Sequence, residues 1–307
     1  MQLHTRKSGS PELAPATPAQ TPSHPRELME VHEHGPERHQ LIKSEEAGVE
    51  LNIGELWGGR ELLHFLTLRD IKVRYKQTVM GFAWVVIQPL MTMLIFTLVF
   101  KRFVRLESGS LPYPLFALSG LILWIFFANA VINSTNSLIT NTRLITKVYF
   151  PRMYIPGASV GAGLVDLCIA MVLLVVLALY YGVSLTITVV LLPVFILLMT
   201  LLAFSVGLIS SALTVKYRDL RHALPFIIQL WMFSSPVIYP TSIVPQRWKW
   251  LLFINPVAGI IDGFRAALTG GSFDWLHVAM SAAITLALLL FSIYFFRRLE
   301  NTFADVI

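Results

Sequence analysis
The stretch LCIAMVLLVVLALYYGVSLTITVVLLPVFILLMTLLAFSVGLISSALTV, Leu167 to Val215, decides the fold, because no charged residue interrupts it. A hydrocarbon core takes about 20 helical residues to cross, so the run is too long for one helix. It divides at Tyr180-Tyr181-Gly182-Val183-Ser184, where aromatic and turn residues suit a membrane interface. Two spans follow from one run.

Further apolar stretches lie on both sides, giving six spans near 80–100, 115–137, 156–181, 185–213, 223–239 and 275–296. Across 307 residues, 55% are hydrophobic and 14% charged, against about 25% charged in soluble domains. A net charge of +6 points to nucleic acid only where basic residues form a soluble patch; here they cluster in the short gaps between apolar runs. Cys168 is the single cysteine, so one copy forms neither a disulfide nor a Cys-based zinc site.

Residues 1–47 are rich in Pro, Ala, His and Glu and read as a disordered tail, with no segment resembling a secretory signal. His32, His34 and His39 there lack the preorganised geometry of a metal site. From Glu55 to Arg74 the leucines recur at helical spacing beside a polar set, which predicts an amphipathic helix on the membrane surface. The expected domains are therefore a tail at 1–47, an interface helix and span entry at 48–78, a six-span transmembrane domain at 79–298, and a short C-terminus at 299–307.

Leu251 to Leu268 is apolar but broken by Asn255-Pro256, Asp262, Gly263 and Arg265. Broken backbone at membrane depth has to be covered by protein or line a wet cavity, so a re-entrant hairpin is expected before the last span. Asp262 and Arg265, at i and i+3, form an ion pair in this reading. With six spans, the Lys and Arg of 60–76, 143–152, 216–221 and 297–298 share one side, while Lys101, Arg102, Arg105, Arg247 and Lys249 face the other. The positive-inside rule puts both termini in the cytoplasm.

No G-x-x-x-x-G-K-[ST] occurs, so any ATP must be handled by another subunit, and no HExxH or GxSxG marks an enzyme. The expected class is transport, not catalysis. Phe126, Asn129, Asn133 and Asn136 share one face of the second span, and Trp84, Gln88 and Thr92 do the same on the first. Amides in hydrocarbon need partners, either across a helix interface or in a passage that sugar hydroxyls share. Asp166 lies near the middle of the third span and is either a proton relay or a group bonded between packed helices. Residues 141–152 mix Leu144, Ile145, Val148 and Phe150 with Arg143, Lys147 and Arg152, as an amphipathic helix ended by Pro151 would. A partner groove or lipid headgroups could receive it.

LRDIKVRYKQTVMGFAW (68–84) followed by Gln88-Pro89-Leu90 resembles the entry to the first span of type-2 ATP-binding-cassette permeases that export O-antigen, teichoic acid and related glycans. Ser119-Gly120-Leu121, ITKVYFPR (145–152), VKYRDLRH (215–222), SPVIYP (235–240) and Phe264-Arg265 agree in order. The resemblance spans about residues 50–298. It implies a homodimer in the bacterial inner membrane that binds no cofactor itself. Two cytoplasmic ATPase subunits, using ATP and Mg, would dock on Arg143, Leu144, Lys147, Tyr149, Phe150 and Arg152 and on the N-terminal helix. It further implies a glycan channel lined by Trp84, Gln88, Thr92, Phe226, Gln229 and Phe233, to which Phe126, Asn129 and Asn133 are added as candidates. The exported molecule would be a lipid-linked polysaccharide. A small lipid or drug, and a proton-coupled carrier using Asp166, are the rivals.

Overall fold
The computed structural model describes residues 58–76, 81–103, 111–148, 150–183 and 186–306. The expected tail, residues 48–57 and Tyr149 lie outside the described residues. What is described is helical, with no strand among those residues. In chain order the helices are α1 (Arg60–Lys76), α2 (Gly81–Phe96), α3 (Tyr113–Thr140), α4 (Thr142–Lys147), α5 (Tyr154–Tyr180), α6 (Leu192–Lys216), α7 (Leu220–Ser234), α8 (Lys249–Ile254), α9 (Pro256–Thr269) and α10 (Trp275–Val306). α2 runs on into π-helical turns over Thr97–Phe103, and a 3₁₀ turn over Ile187–Leu191 leads into α6.

Five of these segments are long and apolar enough to cross a membrane: Ala83–Phe100, Tyr113–Thr140, Tyr154–Tyr180, Ile187–Lys216 and Trp275–Glu300. The count becomes six if the pair Gln246–Ile254 and Pro256–Thr269, bent by 95°, is taken as one span. The uncharged run does break in two: α5 stops at Tyr180 and Gly182 turns the chain at φ 66°.

α7 differs from the expected span at 223–239. It has 15 residues, about 22 Å at 1.5 Å per residue, and ends at Ser234. The cause is Pro236, which disfavours helical backbone in the residue before it; Ser235 is extended at ψ 148°. The same chemistry bends α8 into α9. Asn255 precedes Pro256, is extended at ψ 105°, and its side chain caps α9 by accepting the Val257 N–H. Gly270, in the left-handed region at φ 68°, ends α9.

α3 is the hub, with 78% of its apolar window buried against 11% for α2. It packs on α5 and α6, and α10 packs on α6 and α9. Most core hydroxyls find a partner, as where Thr135 Oγ1 lies 2.7 Å from Ser210 Oγ between α3 and α6, with Thr97 Oγ1 and Ser281 Oγ the buried exceptions among the described residues. α1 lies along α5, where Gly157 and Gly161 allow close approach: a Cβ on Gly161 would stand 3.2 Å from Thr67. Leu66 is buried in that contact, whereas Phe65, Leu68 and Val73 face outward.

Candidate functional site
Four of the expected channel residues gather around one cavity. Between α2, α3 and α5, a space of about 250 Å³ is lined by Trp84, Gln88, Phe126 and Asn129, together with Arg74, Gly163 and Asp166. Gly163 makes room for the ring of Phe126, which a Cβ there would approach to 3.3 Å. Pro89 sits inside α2, and Thr92 turns its hydroxyl to the Gln88 carbonyl at 2.8 Å rather than lining the cavity. Asn133 is exposed two turns further along α3, and Asn136 bonds back to Ile132 at 2.9 Å. Phe226, Gln229 and Phe233 are exposed on the outward face of α7 and do not border this cavity.

Asp166 is held from α1. Arg74 Nη1 forms an ion pair with one carboxylate oxygen and the Tyr75 hydroxyl donates to the other. Burial, and then the bond to Asp166, push the Tyr75 phenol above its ordinary range, so it is a donor at neutral pH. Both oxygens are thus engaged between packed helices, one of the two roles the sequence left open. Spacing had no means of naming the partners.

The opposite end of α1 meets the segment 141–152. A cavity of about 820 Å³ there is lined by Gly59, Leu62, Lys147, Val148, Phe150, Arg152, Arg297 and Glu300, among others. α4 covers only Thr142–Lys147. Ile145 and Phe150 turn inward, packed with Leu66, Leu138, Met153 and Tyr154. Arg143, Lys147 and Val148 are exposed, and Leu144 is half-buried. Arg152 Nη1 donates to the Glu300 carbonyl at 2.6 Å, tying the segment to the C-terminal part of α10.

At the other end of the bundle, Arg265 and Asp262 pair at 3.6 Å, as their spacing suggested. The shorter bonds of Arg265 are different ones: to the carbonyls of Pro236 and Val237, each at 2.6 Å, and of Phe116 at 3.2 Å, with the guanidinium 3.7 Å from the Phe116 ring centroid. Asn255 completes this joint, donating to Ser235 Oγ at 2.8 Å and accepting from Trp231 Nε1 at 3.0 Å.

Residues 61–269 match the profile of a family described as ABC-2 type transporter. The chain belongs to that family. As an ABC-2 protein it is similar to "O-antigen export system permease protein RfbA" of Klebsiella pneumoniae, 30% identical over 258 residues that cover 83% of this chain and 97% of the relative. The protein of the same name from Myxococcus xanthus is also 30% identical over 258 residues, covering 83% and 98%. "Polysialic acid transport protein KpsM" of Escherichia coli is 25% identical over 245 residues, covering 77% and 92%. In the ABC-2 chain the cavity beside Trp84 and the segment 141–152 are joined by α1, whose two ends touch both.

Proposed function
We propose that this chain is the permease of an ATP-driven exporter of a lipid-linked, O-antigen-like polysaccharide, working as a homodimer in the bacterial inner membrane. The observation that carries the reading is its 30% identity to two O-antigen export permeases over nearly their whole length. ATP and Mg are used by two copies of a separate cytoplasmic ATPase. The channel forms where exposed Trp84 on α2 and Phe226 and Phe233 on α7 face their counterparts in the second copy, with Gln88 and Gln229 between the rings. Aromatic faces let sugar rings slide without holding any one of them.

We read six crossings, with both termini cytoplasmic. α7 supports this despite its length: it starts beyond Lys216, and the turn after it docks at the first turns of α3, where Tyr113 donates to the Ile238 carbonyl at 2.8 Å. The bent α8–α9 pair then begins and returns at that same end, since Ala267 accepts from Thr188 beside the start of α6 and α10 leaves from Trp275. That arrangement suits a re-entrant hairpin. The tail at 1–47 and the domain limits 48–78, 79–298 and 299–307 remain part of the proposal.

A strain lacking this gene is expected to lose surface polymer and accumulate lipid-linked glycan inside the cell. Intact surface polymer would overturn the reading. Trp84→Ala and Phe226→Ala should each lower surface polymer; a permease for a small lipid or drug would leave it untouched.

Docking of the ATPase is proposed on Arg143, Leu144, Lys147, Val148 and Tyr149, with Phe150 and Arg152 holding the segment to the rest of the chain. Phe150→Asp is a poor test, because it would put a charge into the chain's own core. Lys147→Glu with Val148→Asp changes only exposed positions and is expected to weaken ATPase co-purification about tenfold, or about 1.4 kcal/mol. Undiminished co-purification removes this contact.

A further inference from the structure
A third cavity, of about 480 Å³, lies between the α8–α9 bend and the first turns of α3 and α10. That volume is in the range of sites that take a small ligand, roughly 300–1,000 Å³. Asp262 and Lys249, both half-buried, line it, and Ser242, Ser272 and Asp274 reach it from exposed positions.

Its charges are incompletely used. Arg265 is engaged by the carbonyls of Pro236, Val237 and Phe116, and of the Asp262 carboxylate it meets Oδ1 alone, at 3.6 Å. Asp262 Oδ2 and Lys249 Nζ have no hydrogen-bond partner among the described residues. Asp274 Oδ1 accepts the His277 N–H at 3.2 Å, capping α10, and leaves Oδ2 open. His277 is already committed, its ring nitrogen 3.0 Å from the Leu252 carbonyl and its ring against Phe253. A partly enclosed site with two carboxylates and one ammonium is completed by a ligand carrying both signs of charge.

The surroundings indicate which zwitterion. Trp250 follows Lys249 and Trp275 follows Asp274; both indoles are more than half exposed. Tryptophan in such positions concentrates at headgroup depth. Along α10 from there, Leu276 and Met280 are exposed and offer an apolar track of the kind acyl chains cover. We propose that this cavity binds the headgroup of a phospholipid with a primary ammonium, of the phosphatidylethanolamine type. The ammonium donates to Asp262 and Asp274, the phosphate lies beside Lys249, and the chains follow Leu276 and Met280. A trimethylammonium headgroup has no N–H to donate and would leave the carboxylates unsatisfied. The site does not depend on what the channel exports.

The test uses the full-length protein, depleted of lipid and returned to nanodiscs of phosphatidylcholine alone, or with added phosphatidylethanolamine or phosphatidylglycerol. Native mass spectrometry counts bound lipid, and thermal unfolding gives a second readout. Phosphatidylethanolamine is expected to bind and raise Tm above the phosphatidylcholine value, and phosphatidylglycerol is not. Asp274→Asn retains a good helix cap and Lys249→Gln leaves the fold untouched, so both should keep the phosphatidylcholine Tm. Each should weaken phosphatidylethanolamine binding about tenfold, the loss of one charge-assisted hydrogen bond. Equal binding of all three lipids, or binding that survives both substitutions, overturns the proposal. So does preference for phosphatidylglycerol lost in Lys249→Gln, which would mark a plain phosphate site. A Tm rise with 10 mM mannose or N-acetylglucosamine and none with phosphatidylethanolamine would mark a saccharide site instead.

Discussion

Asp166→Ala is expected to destabilise the protein by on the order of 3 kcal/mol and to abolish export. The substitution removes the carboxylate that Arg74 and Tyr75 both address from α1. Breaking a fully buried pair costs about 3–5 kcal/mol; here the side chains keep 28% and 19% of their exposure, which puts the cost at the low end. The unfolding midpoint should fall by roughly 5 °C or more. Asp166→Asn keeps an acceptor for Tyr75 and should fall between. The pair Arg74→Met with Asp166→Leu removes both charges together, so a double-mutant cycle should return about 1–3 kcal/mol of coupling. Additive losses would mean that the two residues do not act together. Export provides the separate readout. If α1 carries motion from the segment 141–152 to the cavity beside Trp84, the double variant regains stability, and its ATPase turns over without moving polymer. Recovery of export along with stability would reduce this tie to a structural one. A proton-coupled carrier would instead lose transport in Asp166→Asn in a manner sensitive to an uncoupler.

The features legible in the sequence are those set locally. Run length and the aromatic turn at Tyr180-Tyr181-Gly182 placed α5 and α6, and Asn255-Pro256 marked the bend before α9, because proline restricts the residue preceding it whatever surrounds the pair. The same rule applied to Ser235-Pro236 would have shortened the fifth span to its observed end at Ser234; apolar composition alone carried that expectation on to residue 239. Helical phase put Phe126, Asn129 and Asn133 on one face, and phase is silent about depth. Asn133 lies seven residues, about 10 Å, along α3 from Phe126 and clears the cavity. Asp166 stood out as a charge in a span, but its partners are 91 and 92 residues earlier. Phe150 looked like a docking residue because an apolar side chain between basic ones reads alike whether it faces a partner or its own core. The bonds of Arg265 to backbone carbonyls were the least legible, since a carbonyl acceptor leaves no trace in residue type.

Those carbonyls make Arg265 the second position of large expected effect. Its guanidinium joins three chain segments: α9, the turn at Pro236 and Val237, and the first turn of α3 at Phe116. A planar fork with five donors can serve several carbonyls while stacking on a ring, and an ammonium with three donors cannot reproduce that geometry. Arg265→Lys is expected to leave at least one buried carbonyl without a partner, at about 1–3 kcal/mol, and to lose the stack on Phe116 as well. Arg265→Met should cost more, because every one of these bonds goes. Gly120→Ala tests the same joint without touching a charge. A Cβ there would stand 2.5 Å from both Arg265 Nη2 and the Val237 carbonyl oxygen, so either the guanidinium or the turn must move. Both substitutions should loosen the segment that follows the turn, and trypsin cleavage after exposed Arg247 reports it in the purified protein. Faster cleavage and a lower Tm are expected for Arg265→Lys and Gly120→Ala alike. If Gly120→Ala matches the unaltered protein in both, the close approach of α3 to this turn is not what holds the bent pair in place.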